Sequence, residues 1–172
     1  MPSPQLSRRG AIVAALALPA AAATPTEVLA QSGSDADSLE VVHHWIEEVL
    51  RPLSIGQLGH PEKLAQPDLV MELHGAGAND DGTPRVLNGL PEVLAWLEQV
   101  KTRHAAPVSV RIDKTLVQGD TVALLGENVW TLRGEGDSQQ KRAQTIAAFY
   151  TLKDGKIAHI FRFTDRVGRK AS

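Results

Sequence analysis

The sequence predicts an α+β domain, with helices packed on one face of a curved antiparallel sheet. Helical periodicity is confined to the first part of the chain. From Val108 onward, apolar residues alternate with polar ones. Short turn signals separate the alternating stretches, and Asp154-Gly155 is the strongest of them. Helices followed by a run of strands is the order that gathers helices on one side of an antiparallel sheet.

The elements follow in order. Residues 31–37 are polar and rich in Gly and Ser, which reads as a flexible linker, and Ser38 is a credible N-cap. Val41, Val42, Trp45, Ile46, Val49 and Leu50 recur at helical spacing over 39–51, and Pro52 is placed to stop that helix. Pro61 suits the first turn of a short helix over 61–65. Residues 69–74 have strand propensity and run into the turn-rich stretch Gly75-Ala-Gly-Ala-Asn-Asp-Asp81-Gly82. Leu90, Val93, Leu94, Leu97 and Val100 form the apolar stripe of a third helix over 90–104. Val108, Val110 and Ile112 then alternate with Ser109, Arg111 and Asp113 in a half-buried strand. Three more strands are expected over 121–133, 142–152 and 157–164, joined by turns at 134–138 and at Asp154-Gly155.

Composition narrows the function classes. The chain has 172 residues, 22% of them charged, with a net charge of −2, which removes the electrostatic case for nucleic acid as a partner. It has no cysteine, so thiolate metal sites and Cys nucleophiles are excluded. No His and carboxylate set has clear metal-ligand spacing, and neither metal nor cofactor is expected. Alanine crowds the first thirty residues. There, Arg8-Arg9 precede an uncharged apolar run over 11–23 and then small residues, the order of a secretory signal. That run is well short of the roughly 20 residues a membrane-spanning helix needs. Ser7-Arg8-Arg9-Gly10-Ala11-Ile12 resembles the bacterial twin-arginine signal, with Ala11 where a bulky residue is usual. Cleavage after Ala30 would export a mature chain of 142 residues to the periplasm or beyond, with no further hold on the membrane.

Four short stretches carry a family resemblance: Pro67-Asp68-Leu69-Val70, Asn88-Gly89-Leu90-Pro91-Glu92-Val93, Gly119-Asp120-Thr121-Val122, and Asp154-Gly155-Lys156-Ile157 with Asp165 eight residues on. In this order and spacing they resemble the SnoaL-like polyketide cyclases. These belong to the nuclear transport factor 2-like superfamily, with ketosteroid isomerase and limonene epoxide hydrolase as cousins. The resemblance covers residues 38–168, leaving 169–172 as a tail. It implies a cone-shaped, cystatin-like sheet with three N-terminal helices on its concave face, a deep apolar cavity, and a homodimer formed through the outer sheet face.

Asp165 occupies the position of the acid/base aspartate of those cyclases. By strand alternation it shares a face with Ile157, His159, Phe161 and Phe163. If that face lines the cone, desolvation would raise its pKa and suit it to removing a proton beside a carbonyl. His74, at a strand end before the Gly-rich loop, could donate to an oxyanion or relay a proton. Tyr150, Trp130, His159, Phe161, Phe163 and Glu127 are candidate pocket residues, with Arg111 a candidate partner for Glu127. Asp80 or Asp81 with Arg85 and Asp165 loosely imitate the Asp–Arg–Asp set of the epoxide hydrolases. The leading expectation is an exported Asp-based isomerase, aldol-type cyclase or hydrolase acting on a hydrophobic small molecule. The alternatives are a non-catalytic binding or carrier domain and a dimerising accessory module.

Overall fold

A computed structural model describes residues 33–54, 59–133, 139–165 and 169–170. The expected export signal and the turn at 134–138 lie outside the described residues. The first helix, α1 (Gly33–Trp45), continues through one wide π turn (Ile46–Leu50) into a tight 3-10 turn (Arg51–Ser54). The wide turn aims Ile46, Val49 and Leu50 all at the core. The short helix α2 (Pro61–Leu64) precedes strands β1 (Ala65–Gly75) and β2 (Arg85–Asn88). Helix α3 (Leu90–Thr102) follows Gly89, and the Glu92 carboxylate accepts from the Asn88 backbone N–H at 2.7 Å, closing its first turn. The remaining strands are β3 (Ser109–Gln118), β4 (Thr121–Arg133), β5 (Gln139–Lys153), β6 (Lys156–Thr164) and the two-residue β7 (Arg169–Lys170).

The strands form one sheet in the order β2-β1-β6-β5-β4-β3, with β7 on β5. All pairings are antiparallel except β1 with β6. The core lies between the helices and the inner sheet face, and its largest fully buried members include Trp45, Leu69, Leu73, Leu97, Ile157 and Ile160. The outer face leaves Leu125, Phe149 and Phe163 exposed.

The architecture is the α+β class expected, with several elements redrawn. Helix α1 begins at Gly33, inside the expected linker, so Ser38 is buried within the helix instead of capping it. A tertiary bond accounts for the early start: Asp35, in the first turn, accepts from the Gly119 backbone N–H at 2.7 Å. Pro52 does not end the helical path, because the 3-10 turn needs no N–H at that position. The sheet is mixed, not purely antiparallel, since β1 crosses over to run alongside β6. Pro67 is tolerated because it falls where the register of β1 slips between Ala65 and Val70. The Asp154-Gly155 turn forms as expected, with φ of 52° and 71°, the pair of left-handed residues a tight hairpin requires.

Two glycines separate steric from conformational demand. A Cβ on Gly126 would collide with the Arg111 carbonyl on the neighbouring strand, where β3 is irregular between Ile112 and Lys114. A Cβ on Gly119 meets nothing within 4 Å, although its φ is +55°. Gly126→Ala is therefore expected to destabilise by more than about 2 kcal/mol, because rigid backbone must move. Gly119→Ala is expected to cost only about 1 kcal/mol of backbone strain. Urea unfolding midpoints of the two variants check the ordering.

Candidate functional site

The inner sheet face and α3 line an open cavity of about 600 Å³, within the usual range for small-molecule sites. Leu73, Trp96, Val100, Trp130 and Leu132 give it apolar and aromatic walls. Arg103, His104, Arg142, Gln144, Arg162 and Thr164 supply its polar groups, and no Asp or Glu is among the described lining residues.

His104 is fixed by its backbone. It bridges Leu132 at the end of β4, and the Ala105 N–H donates to the Thr131 carbonyl at 2.7 Å. The His104 carbonyl accepts from the Arg133 guanidinium at 2.9 Å. These bonds sew the C-terminus of α3 onto β4 and lay the imidazole against Trp130, with ring centroids 4.6 Å apart. Nδ1 lies 2.7 Å from the Val100 carbonyl, which can only accept, so Nδ1 carries the proton and Nε2 holds the lone pair of the neutral ring. His104 is 4% exposed, and this burial pushes its pKa below the ordinary value of 6.5. The Val100 bond raises it and the nearby Arg103 charge lowers it further.

Arg162 is the second anchor. It is only 7% exposed, and its guanidinium carbon sits 5.7 Å from the centroid of Trp130. It has no ion pair or hydrogen bond among the described residues, unusual for a buried guanidinium. Burial lowers its pKa, and the neighbouring Tyr150 acts in the opposite direction. Trp130 thus carries an imidazole and a guanidinium, and its own buried indole N–H has no partner among the described residues.

Most of the residues expected in the pocket stand elsewhere. Residue Ala158 is an extra residue in β6: Leu152 pairs with Ile157, but the adjacent Thr151 pairs with His159. Such a bulge reverses the alternation beyond it. Ile157 and Ile160 therefore both point inward, at 0% and 1% exposure, followed by Arg162 and Thr164. His159, Phe161 and Phe163 turn to the outer face, where Phe163 is 48% exposed. His74 is on that face too, stacked on Phe161 with centroids 4.4 Å apart. Glu72 links the pair: it is 3.0 Å from His159 Nε2 and at ion-pair distance, 3.5 Å, from His74 Nε2. The His159 bond holds the Glu72 carboxyl below its usual range against the opposing effect of burial. Glu127 also faces outward, opposite Arg111 in register and 3.7 Å from its guanidinium.

Tyr150 points inward but is buried in the core beside the cavity, not in its lining, and that burial raises its pKa. Asp165, one residue past the end of β6, is not among the residues that line the cavity, and its Oδ1 is buried without a partner among the described residues. Trp130 stands in the cavity wall. The 79–85 loop spends its polar groups on itself. Asp81 accepts from the Thr83 hydroxyl at 2.7 Å, and Arg85 donates to Asn79 at 3.4 Å. Among the described residues, no hydrogen bond or ion pair joins Asp80, Asp81 or Arg85 to Asp165.

Comparison with known proteins fixes the kinship. The family model for the SnoaL-like domain matches residues 59–160, more than half of the chain. The chain belongs to the SnoaL-like family. No curated protein sequence matches it significantly. Among solved structures, a SnoaL-like protein from Jannaschia is 18% identical, with a TM-score of 0.61 over 78% of this chain and 90% of that one. A nuclear transport factor 2-like protein from Anabaena variabilis is 12% identical, with a TM-score of 0.64 over 84% and 99%. An epoxide hydrolase of the limonene type from M. tuberculosis is 12% identical, with a TM-score of 0.58 over 78% and 83%. At these identities the likeness is one of fold.

Within this SnoaL-like domain, sequence reasoning missed His104 and Arg162 as site residues. His104 lies just past a helix that ends at Thr102, where no periodicity applies. Arg162 is hidden by the bulge. Arg162 would have emerged from anchoring the alternation of β6 on Ile160 in place of Ile157, whereas no local signal marks His104.

The depressed pKa of His104 has a sign that stability can read. Below the ordinary value of 6.5 the unfolded chain takes up a proton that the folded ring resists. Stability is therefore intact above that value and declines as pH falls through it. Between about pH 7.5 and about pH 5.5, the wild type is expected to lose more stability than His104→Gln. Denaturation midpoints at the two pH values check this, and parallel losses would show that the ring is not held neutral.

Proposed function

We propose that this SnoaL-like domain binds a flat, largely apolar small molecule in its cavity and moves a proton on it, with His104 as the acid/base. One observation carries the reading. A neutral imidazole lines the cavity with Nδ1 tied to the Val100 carbonyl, so Nε2 is the basic atom. Nε2 would take a proton from a carbon beside a carbonyl, and the developing oxyanion would lie in a cavity whose charged groups, among the described residues, are all cationic. Returning the proton to another carbon isomerises the substrate. Attack of the carbanion on a second carbonyl instead closes a ring, as in an aldol-type cyclisation. Asp165 takes no part in this route.

The reaction can be probed without the natural substrate. β-Tetralone has acidic protons next to its ketone, and NMR follows their exchange with deuterated water. The protein is expected to accelerate this exchange, His104→Gln to reduce the acceleration by about 100-fold, and Asp165→Asn to change it by less than about threefold. Unchanged exchange in His104→Gln would remove the acid/base role.

We further propose that the protein is exported in its folded state, on the strength of Arg8-Arg9 and the apolar run behind them. Replacing both arginines by lysine is expected to retain the full-length chain in the cytoplasm of a bacterial host. Fractionation and immunoblotting check this, and undiminished periplasmic protein would count against the twin-arginine route.

A further inference from the structure

We propose that the cavity is built for an anion: its ligand is a flat acid whose carboxylate is held by Arg162 while its conjugated body lies against Trp130. This deepens the reading above and rests on the cavity being the small-molecule site.

Arg162 is the first support. A guanidinium that is 7% exposed is ordinarily matched by a carboxylate or by several carbonyls. Arg162 has neither among the described residues, and Asp165, three positions on, makes no ion pair with it. Its partner is therefore to be sought in the cavity that it lines. The planar fork of a guanidinium fits a carboxylate through two parallel hydrogen bonds.

The second support is the sign of the lining. The chain carries more acidic than basic residues, 20 against 18. The described cavity lining nevertheless holds Arg103, Arg142 and Arg162 with no acidic residue. Arg103 and Arg142 are exposed, so they are placed to draw an anion in, whereas Arg162 is buried, where a charge contact is strongest.

The third support is the aromatic surface. Trp130 is packed by His104 at 4.6 Å and by the Arg162 guanidinium at 5.7 Å, and its buried N–H lacks an acceptor among the described residues. A conjugated acid would give the indole a flat body to pack on and oxygens within the reach of N–H donors. Leu73, Trp96, Val100 and Leu132 would cover the rest of that body.

Calorimetric titration of the full domain with 2-naphthoate and with its uncharged methyl ester tests the proposal. The acid is expected to bind at least about tenfold more tightly than the ester. Arg162→Met should weaken the acid at least about tenfold and leave the ester within about threefold. Raising salt from about 20 mM to about 300 mM should weaken only the acid. That arm needs the wild type alone, so it decides the matter even if Arg162→Met does not fold. Equal affinities for acid and ester in the wild type would overturn the anion assignment, and an acid preference that survives Arg162→Met would overturn the role of Arg162, each leaving the cavity as a binding site. Failure of both compounds to bind would overturn the cavity reading and this inference with it.

Discussion

Strand β6 is paired on both sides, parallel to β1 and antiparallel to β5, and at Ala158 it carries one residue more than β5 accommodates. The character of the interior depends on that residue. With regular alternation from Ile157, the inward positions would be His159, Phe161 and Phe163. Two phenyl rings would then fill the space beneath the helices. The bulge instead turns Ile160, Arg162 and Thr164 inward and sends the rings to the outer face. A slip of one residue moves a whole strand's side chains to the other side of the sheet, so it decides between a filled core and a cavity holding a guanidinium.

How much of this was legible in the sequence follows from what each element depends on. Strand β4 and the Asp154-Gly155 hairpin are set by local chemistry, namely alternation and positive φ, and both were readable to within a residue or two. Helix α3 was readable because its apolar stripe and Pro91 near its start agree. The start of α1 was not, because a bond from Asp35 to a turn far along the chain supports its first turn. The parallel pairing of β1 with β6 and the short edge strand β2 are long-range matters with no local signature. In the site, Trp130 could be singled out from the chain, but His104 could not. Its position depends on the β4 backbone, through the bridge to Leu132 and the bond from Arg133.

The buried guanidinium runs against the economy of the rest of the fold. The inward neighbours of Arg162 are the apolar Ile160 and Leu73 and the partly polar Thr164, and a branched aliphatic side chain would suit that environment better. A charge kept at a site where stability alone disfavours it marks a place where local consistency has yielded to function. The contrast with Glu72 is instructive. That carboxylate also sits among rings, but on the outer face, where two histidines share its charge. It is satisfied within the protein and needs no ligand.

In the proposed reaction, His104 and the arginines act on the same energy gap from opposite sides. Burial and the Arg103 charge lower the pKa of the imidazole, which guarantees a free lone pair at neutral pH but makes the ring a weaker base. Taken alone, that would slow removal of a proton from carbon. The cations of the cavity also stabilise the enolate that forms, and so lower the pKa of the carbon acid. The gap between donor and acceptor is what sets the barrier to transfer, and it closes when the substrate's value falls further than that of the base. The charge that acts on His104 is that of Arg103, so Arg162 would hold the bound acid without weakening the base.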